Sequence, residues 1–163
     1  MKVCIFLGSE SDYPVVEGAL EVLKEFDVEY VLEVTSAHRT PARTQRLIKE
    51  FEQQGARIFI ALAGKAAHLA GAVAAHTTLP VIGVPVGSSA LSGMDALFST
   101  VQMPKGVPVA CMGIGKSGAA NAALLAVQIL SLEDTALRKK MRTAREKMAE
   151  QVELSSERLK KNL

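Results

Sequence analysis

The stretch that most constrains the fold lies in the middle of the chain, between Arg57 and Gly71. It opens with apolar residues and β-formers, Ile58-Phe-Ile-Ala-Leu62, a pattern typical of a strand buried on both faces. The small residues Ala63 and Gly64 then let the backbone turn sharply into a helix. Because open α/β sheets bind ligands at the carboxyl ends of such strands, residues 64–68 are predicted to lie at the rim of a site.

The same order of strand, polar loop and helix recurs along the chain. The pattern predicts the other four strands at Lys2–Leu7, Val28–Val34, Pro80–Val86 and Val107–Ile114. It predicts helices at Val15–Phe26, Thr40–Gln54, Ala66–His76, Met94–Val101, Ala119–Leu132 and Glu133–Gln151. Five strands alternating with helices indicate an α/β fold, a doubly wound parallel five-stranded sheet in three layers. We expect the order 2-1-3-4-5, whose switch point brings the loops after strands one and three together.

Length and composition indicate one domain over residues 1–163. The chain has 163 residues, 48% hydrophobic and 22% charged. We expect a core over about residues 1–132, a C-terminal helix over about 133–151 that extends from the core, and a solvated basic tail at Arg158, Lys160 and Lys161. No leader pattern and no apolar run long enough to cross a bilayer is found, so a cytoplasmic location without membrane attachment is expected. A net charge of +2 and the absence of Trp argue against nucleic-acid binding.

The two cysteines do not form a metal-site pattern. Cys4 and Cys111 each fall inside a predicted strand, and neither has a second cysteine or a histidine at ligand spacing. We therefore expect reduced thiols in the core and no metal ion.

Two polar loops carry side chains suited to chemistry. Gly8-Ser-Glu-Ser-Asp12 follows the first strand; its hydroxyls could bind a phosphate together with helix N–H groups, or they could only cap the helix. Thr35-Ser-Ala-His-Arg-Thr-Pro41 follows the second strand. Its histidine can exchange protons near neutral pH and its arginine fork suits a phosphate, although a solvated loop is the simpler interpretation.

The position of these loops favours the functional interpretation. The loops after strands one, two and three are predicted to meet at one edge of the sheet. That edge would bring together Ser9, Ser11, Asp12, Ser36, His38, Arg39 and His68.

One helix suggests self-association. Ala119–Leu132 is apolar or small nearly all round, which is more apolar surface than one sheet readily covers. We expect part of it to contact another subunit.

Taken together, the motifs resemble the N5-carboxyaminoimidazole ribonucleotide mutase family, the class I form of phosphoribosylaminoimidazole carboxylase. The resemblance runs in order up to Gln151 and is carried by the blocks Gly8–Asp12, Ser36–Pro41, Ala66–Leu69, Leu79–Val86, Val101–Pro104 and Ala119–Leu125. It implies a flavodoxin-like domain, a homo-octamer, and no metal or organic cofactor. It further implies transfer of a carboxylate from the exocyclic nitrogen to carbon 4 of the imidazole in purine biosynthesis, with a separate ATP-dependent enzyme making the substrate.

The resemblance also implies roles by position. The ribonucleotide phosphate would be held by Ser9, Ser11 and Arg39, and the ribose hydroxyls by Asp12. His38 would act as general acid and base at the imidazole ring, while carbon dioxide released from the nitrogen stays trapped until carbon 4 attacks it. The remaining substrate-binding positions are Ser36, Gly64, Lys65 and His68. For His68, a structural histidine bonded to backbone is an equally good interpretation.

The chain departs from the family pattern in the central block. The family usually reads Gly-Gly-Ala-Ala-His-Leu-Pro-Gly, whereas this chain reads Gly64-Lys-Ala-Ala-His-Leu-Ala-Gly71. Lys65 and Ala70 therefore bear on the shape of the carbon dioxide pocket. Lys65, expected at the opening of the central helix, either points its ammonium into solvent or pairs with the substrate's carboxylate or phosphate.

Two other functions remain open at this point. Class II relatives carboxylate aminoimidazole ribonucleotide directly with carbon dioxide, but their central block resembles this chain less. A flavodoxin-like module could instead bind a flavin or nucleotide without catalysis, although the loops lack the aromatic residues that usually flank a flavin ring.

Overall fold

The computed structural model describes residues 2–161 and contains one parallel sheet of five strands. The strands are β1 (Lys2–Leu7), β2 (Glu29–Val34), β3 (Ala56–Gly64), β4 (Val81–Val86) and β5 (Ala110–Cys111). A short 3₁₀ turn, Glu10–Asp12, precedes the first helix. The helices are α1 (Tyr13–Glu25), α2 (Pro41–Gln53), α3 (Leu69–Ala74), α4 (Met94–Val101), α5 (Lys116–Leu130) and α6 (Thr135–Lys161). The predicted α/β, flavodoxin-like, doubly wound class is confirmed.

The strand order is β2-β1-β3-β4-β5, as predicted. Every neighbouring pair is parallel. At its carboxyl end β1 pairs Leu7 with Val34 on one side and with Leu62 on the other. Because the strands run in register, the loops that follow β1, β2 and β3 all leave the sheet at one edge.

Apolar side chains cover the sheet on both faces, as the alternation of side chains along a strand requires. On one face, Phe6 packs between the rings of Phe51 and Phe59, with centroids 6.1 and 5.5 Å away. This cluster also includes residues of α2 and α3, among them Ile48, Leu69 and Val73. The alternate strand residues are equally buried, namely Val3, Ile5, Leu7, Ile58, Ile60 and Leu62.

Helices α1 and α5 pack closely at one point. A Cβ on Gly18 would lie only 2.6 Å from the Lys116 carbonyl oxygen, so the two backbones approach without an intervening side chain. The Lys116 ammonium also lies 3.1 Å from Glu21 Oε1 and 3.8 Å from Glu17 Oε2. This contact fixes the start of α5 against α1.

The fifth strand is much shorter than the predicted Val107–Ile114. Only Ala110 and Cys111 pair with β4. Pro108 lacks a backbone N–H to donate to a ladder. After the strand, the Met112 N–H donates to the Gly83 carbonyl and the Gly115 N–H donates to the Pro85 carbonyl. The prediction was wrong because its apolar run is interrupted by proline and glycine.

The central helix is also shorter than the predicted Ala66–His76. A β-turn comes first, closed by the Ala67 N–H donating to the Gly64 carbonyl at 3.1 Å, and α3 begins only at Leu69. Lys65 therefore sits in the turn and not at the helix opening.

Contacts divide the chain into two compact units between Ala126 and Val127. In the second unit, the Asp134 carboxylate accepts the Leu137 N–H at 2.9 Å and caps α6. Helix α6 continues to Lys161, so the segment predicted as a solvated basic tail is helical. The single-domain assignment stays a prediction. No helix of residues 2–161 is long and apolar enough to cross a membrane.

Candidate active site

The loops after β1, β2 and β3 surround a cavity of about 530 Å³. Every residue that the sequence nominated for the site lines it: Ser9, Ser11, Asp12, Ser36, His38, Arg39, Gly64, Lys65 and His68. Ser88, which follows β4, lines it as well. The cavity lies at the switch point between β1 and β3, where ligands bind in this architecture.

The first loop turns its hydroxyl groups towards one another. Ser9 caps the 3₁₀ turn, its Oγ accepting the Ser11 N–H at 3.3 Å, and the Ser11 hydroxyl donates to the same oxygen at 2.8 Å. The loop is tied to the sheet because the Gly8 N–H donates to the Leu62 carbonyl at 2.9 Å. Two hydroxyls side by side just before a helix form a surface suited to an anion.

Asp12 is buried beneath this loop. It is the N-cap residue of α1 but makes no capping hydrogen bond through its side chain. Its side chain is only 3% exposed. Burial raises the pKa of the Asp12 carboxyl above its usual range, against the opposing effect of hydrogen bonds from the Ser9 backbone and the Ser11 side chain. Asp12 nevertheless lines the cavity.

A network of threonines fixes the second loop. The buried Thr35 and Thr44 hydroxyls lie 2.8 Å apart, and Thr40 Oγ1 accepts the Ser36 N–H at 2.9 Å. The Thr40 N–H in turn donates to the Ser36 carbonyl at 2.9 Å. Sequence reasoning missed Thr35 and Thr44, because threonines at the end of a strand and within a helix carry no signal of a shared hydrogen bond.

Arg39 joins the first two loops. Its Nη2 donates to the Gly8 carbonyl at 3.0 Å, and its backbone N–H donates to Ser36 Oγ at 3.1 Å. The guanidinium has five N–H donors, so these contacts orient it while leaving others for an anion beside Ser9 and Ser11.

Two histidines from different loops meet at the cavity. His38 Nε2 and His68 Nδ1 lie 2.7 Å apart, so one N–H is shared between the rings. The rings are nearly perpendicular, at 79°, with centroids 4.8 Å apart. Both side chains are exposed to the cavity. The ring of His68 is thus hydrogen-bonded to His38 and not to the backbone, which was the alternative interpretation.

The turn after β3 is strained. Lys65 has a φ of +57° and Ala67 a φ of +37°, a region that residues with a Cβ rarely occupy. A left-handed residue with a Cβ costs about 1–2 kcal/mol relative to the usual conformation. At the second position of such a turn glycine, asparagine or aspartate is the usual choice.

Ser88 belongs to the cavity, although sequence reasoning did not select it. Its hydroxyl packs so closely on Gly64 that a Cβ there would lie 1.9 Å from Ser88 Oγ. Gly64 therefore makes room for the side chain from the neighbouring strand. The available signal was the small, serine-rich loop Gly87–Gly93 at the carboxyl end of a predicted strand.

The donor set suits anions and proton transfer. Serine hydroxyls, the Arg39 guanidinium and the histidine pair all line the cavity. Within residues 2–161 no three His, Cys, Asp or Glu side chains cluster as metal ligands would. Small apolar residues complete the wall between these groups, namely Ala37, Ala63, Ala66 and Ala67.

Comparison with known proteins agrees with this arrangement. A sequence model of the family described as AIR carboxylase matches residues 2–151. The chain belongs to the AIR carboxylase family. Among structures of the family's fold, a crystal structure of PurE from Treponema denticola superposes with a TM-score of 0.89, at 31% identity over 98% of both chains.

Relatives in the family share about half of their residues with this chain. The N5-carboxyaminoimidazole ribonucleotide mutase of Pyrococcus abyssi is 51% identical over 90% of this chain and 83% of its own length. The protein of the same name from Methanocaldococcus jannaschii is 50% identical over 97% of both. The Escherichia coli K12 protein of that name is 47% identical over 93% of this chain and 89% of its own.

The burial of Asp12 generates a test. Since its pKa is raised in the folded state, the folded state binds the proton more tightly, and stability is lost as the pH rises through the interval between the unfolded and the folded pKa. At pH 7 the buried charge is therefore a cost. We expect the Asp12→Asn variant to unfold at the same temperature as the wild type, or at a higher one, at pH 7. The difference in unfolding temperature should shrink as the pH falls. Calorimetry at pH 7 and pH 4 measures this, and a variant clearly less stable at pH 7 would contradict it.

Proposed function

We propose that the protein is an isomerase of purine biosynthesis, which converts N5-carboxyaminoimidazole ribonucleotide to 4-carboxy-5-aminoimidazole ribonucleotide. The observation that carries this proposal is the identity of about half the residues, over nearly the whole chain, with proteins named for that activity. The cavity supports it independently, because it combines an anion-binding loop with a histidine pair.

Substrate binding follows from the positions of the charged and polar groups. We assign the phosphate to Ser9, Ser11 and Arg39, whose donors lie together beside the start of α1. Asp12 would accept hydrogen bonds from the ribose hydroxyls, which suits a carboxylate that is buried but still lines the cavity. Ser36 supports this arrangement by accepting the Arg39 N–H.

The chemistry needs one proton given and one proton taken. When the bond between the exocyclic nitrogen and the carboxylate breaks, the nitrogen gains a proton and carbon dioxide leaves. Carbon 4 then attacks the trapped carbon dioxide, and the proton on carbon 4 must leave to restore the aromatic ring. The two transfers balance, so one histidine that first donates and then accepts is sufficient.

We assign this role to His38, with His68 as its positioning residue. The hydrogen bond to His68 engages Nε2 of His38 and leaves Nδ1 for the substrate. It also fixes the plane of the ring, because the two rings meet nearly at right angles. Both protons cross the same imidazole, so its orientation matters for both half-reactions.

Trapping of carbon dioxide would depend on the apolar part of the wall. Ala67 and Leu69 are buried and line the cavity next to His68. Carbon dioxide is neutral and apolar, so small side chains can hold it against the ring while excluding water. Gly64 lets the Ser88 side chain pack directly against the backbone in this wall, because a Cβ at position 64 would collide with Ser88 Oγ.

The purified protein should isomerise the N5-carboxylated ribonucleotide without ATP or added metal. Absorbance of the product follows the reaction, and a chelator should leave the rate unchanged. The family description, AIR carboxylase, favours one second candidate, direct carboxylation of aminoimidazole ribonucleotide. Turnover only from aminoimidazole ribonucleotide and bicarbonate would favour that candidate and refute the isomerase.

Replacing the proposed acid and base gives a second test. We expect His38→Asn to lower kcat at least about a hundredfold, since an amide hydrogen-bonds but cannot shuttle protons. Ribonucleotide affinity should stay within a few-fold, because the phosphate contacts remain. Arg39→Ala is the matched control, with weaker binding as its main effect. Near-normal kcat in H38N would remove His38 from this role.

We also propose that the protein assembles as a homo-octamer, as the family resemblance implies. An apolar stripe supports self-association: Leu91, Met94, Phe98 and Val101 lie exposed on and just before α4. Met94, Phe98 and Val101 are four and three residues apart within α4, which places them on one side of the helix, and Leu91 precedes it in the chain. By contrast α5, the helix expected to contact another subunit, has its apolar residues from Ala119 to Leu130 buried or half-buried already.

Light scattering tests the assembly. The wild type should have eight times the 17.4 kDa mass of the chain. Phe98→Glu places a charge in the stripe and should reduce the mass, because burying an unpaired carboxylate is costly. Gln54→Glu adds the same charge at an exposed position after α2 and should leave the mass unchanged. A monomeric wild type at micromolar concentration would overturn the proposal.

Two further expectations complete the proposal. The substrate would come from a separate ATP-dependent enzyme, as the family resemblance implies. A cytoplasmic location remains the prediction made from the sequence.

A further inference from the structure

Lys65 combines features that a simple surface lysine lacks. It lines the cavity and its side chain is exposed there. Its backbone is held at a φ of +57° by the turn that the Ala67 N–H closes on the Gly64 carbonyl. Within residues 2–161 its ammonium has no hydrogen bond or ion pair. A strained residue with an unpaired cation at a cavity wall is a candidate for ligand binding.

The two cationic side chains of the cavity wall, Arg39 and Lys65, belong to loops that follow different strands. Arg39 follows β2 and is already oriented by the Gly8 carbonyl and Ser36. Lys65 follows β3, and β1 lies between the two strands. Neighbouring strands are about 4.8 Å apart, so the two loops leave the sheet about 10 Å from one another. Arg39 is therefore the cation on the β2 side of the cavity, and Lys65 is the cation on the β3 side.

The proposed substrate carries two anionic groups, a phosphate at one end and a carboxylate at the ring. Ser9, Ser11 and Arg39 account for the phosphate. The carboxylate must lie near His38, because its carbon is bonded first to the exocyclic nitrogen and then to carbon 4, the two atoms at which His38 would transfer protons. His38 is bonded to His68, which belongs to the same β3–α3 loop as Lys65.

We propose that Lys65 binds the carboxylate that the reaction moves. This inference rests on the proposed function and names the contact that the ring end of the substrate makes. An ammonium on a flexible stem can follow the carboxylate between its two positions on the exocyclic nitrogen and carbon 4. It loses its partner when the carboxylate becomes neutral carbon dioxide.

That loss determines the kinetic effect of the contact. Lys65 stabilises the carboxylated substrate and product more than the state in which carbon dioxide is free. An interaction stronger in the ground state than in the transition state aids binding and does not raise kcat. Removing the charge should therefore raise KM while leaving kcat equal to or above that of the wild type.

A pair of ligands that differ by one carboxylate gives the decisive measurement. We would titrate 4-carboxy-5-aminoimidazole ribonucleotide and aminoimidazole ribonucleotide by calorimetry into the wild type and Lys65→Gln. The variant should bind the carboxylated ligand about tenfold more weakly, as expected for loss of one charge-assisted hydrogen bond. The affinity of the variant for aminoimidazole ribonucleotide, which lacks the carboxylate, should equal that of the wild type. Lys105→Gln, at an exposed lysine outside the cavity, should match the wild type with both.

Two further variants separate charge from backbone strain. Lys65→Arg keeps the cation and should retain affinity within a few-fold. Lys65→Gly removes both the cation and the strained Cβ, so it should bind the carboxylated ligand as weakly as K65Q while unfolding at a higher temperature. K65Q should unfold at the wild-type temperature, because it keeps the Cβ.

Each outcome decides the proposal. Equal weakening for both ligands in K65Q would assign Lys65 to the phosphate and overturn it. Unchanged affinity for both would make Lys65 a solvated surface residue and overturn it as well. Failure of the proposed function is distinguishable, because it would appear as a wild type that does not convert the N5-carboxylated ribonucleotide, whatever the variants bind.

Discussion

The site depends on the pairing of β1 with a strand on each side. Leu7 at its carboxyl end lies opposite Val34 in β2 and Leu62 in β3, so three loops leave the sheet within two strand spacings. The Gly8 N–H extends this pairing by one bond to the Leu62 carbonyl. Side chains that are about 30 residues apart in sequence thereby meet, as His38 and His68 do. A one-residue slip of β1 would move every buried residue of that strand to the opposite face.

Several locally unfavourable features lie at this sheet edge, in the wall of the cavity. Asp12 is a buried carboxyl with a raised pKa, and Lys65 and Ala67 have positive φ values. Elsewhere the same unit is closely packed, with Phe6, Phe59 and Ile5 fully buried. Stability from the core therefore offsets strain at the edge, a distribution common where a site must be held ready for a ligand.

Much of the fold and site could be predicted from the sequence because their signals are local. Buried strands appear in the sequence as short apolar runs, and polar loops follow them directly. The strand order is therefore as predicted, and all nine nominated residues line one cavity. Signals that depend on tertiary contact were not available. The Thr35 and Thr44 pair, the approach of Ser88 to Gly64 and the early end of β5 each depend on a neighbour distant in sequence.

The histidine pair shows how local and tertiary information combine. Either histidine alone is ambiguous, since a polar loop and a helix start both accommodate one without any function. A distance of 2.7 Å between Nε2 of His38 and Nδ1 of His68 removes much of that ambiguity, because two exposed imidazoles stay together only when their loops are fixed. The threonine network fixes the loop after β2, which carries His38, and the Gly64–Ala67 turn fixes the loop after β3, which carries His68. The strained turn at Lys65 thus also positions the histidine pair, because it sets the path of the chain from the end of β3 to His68.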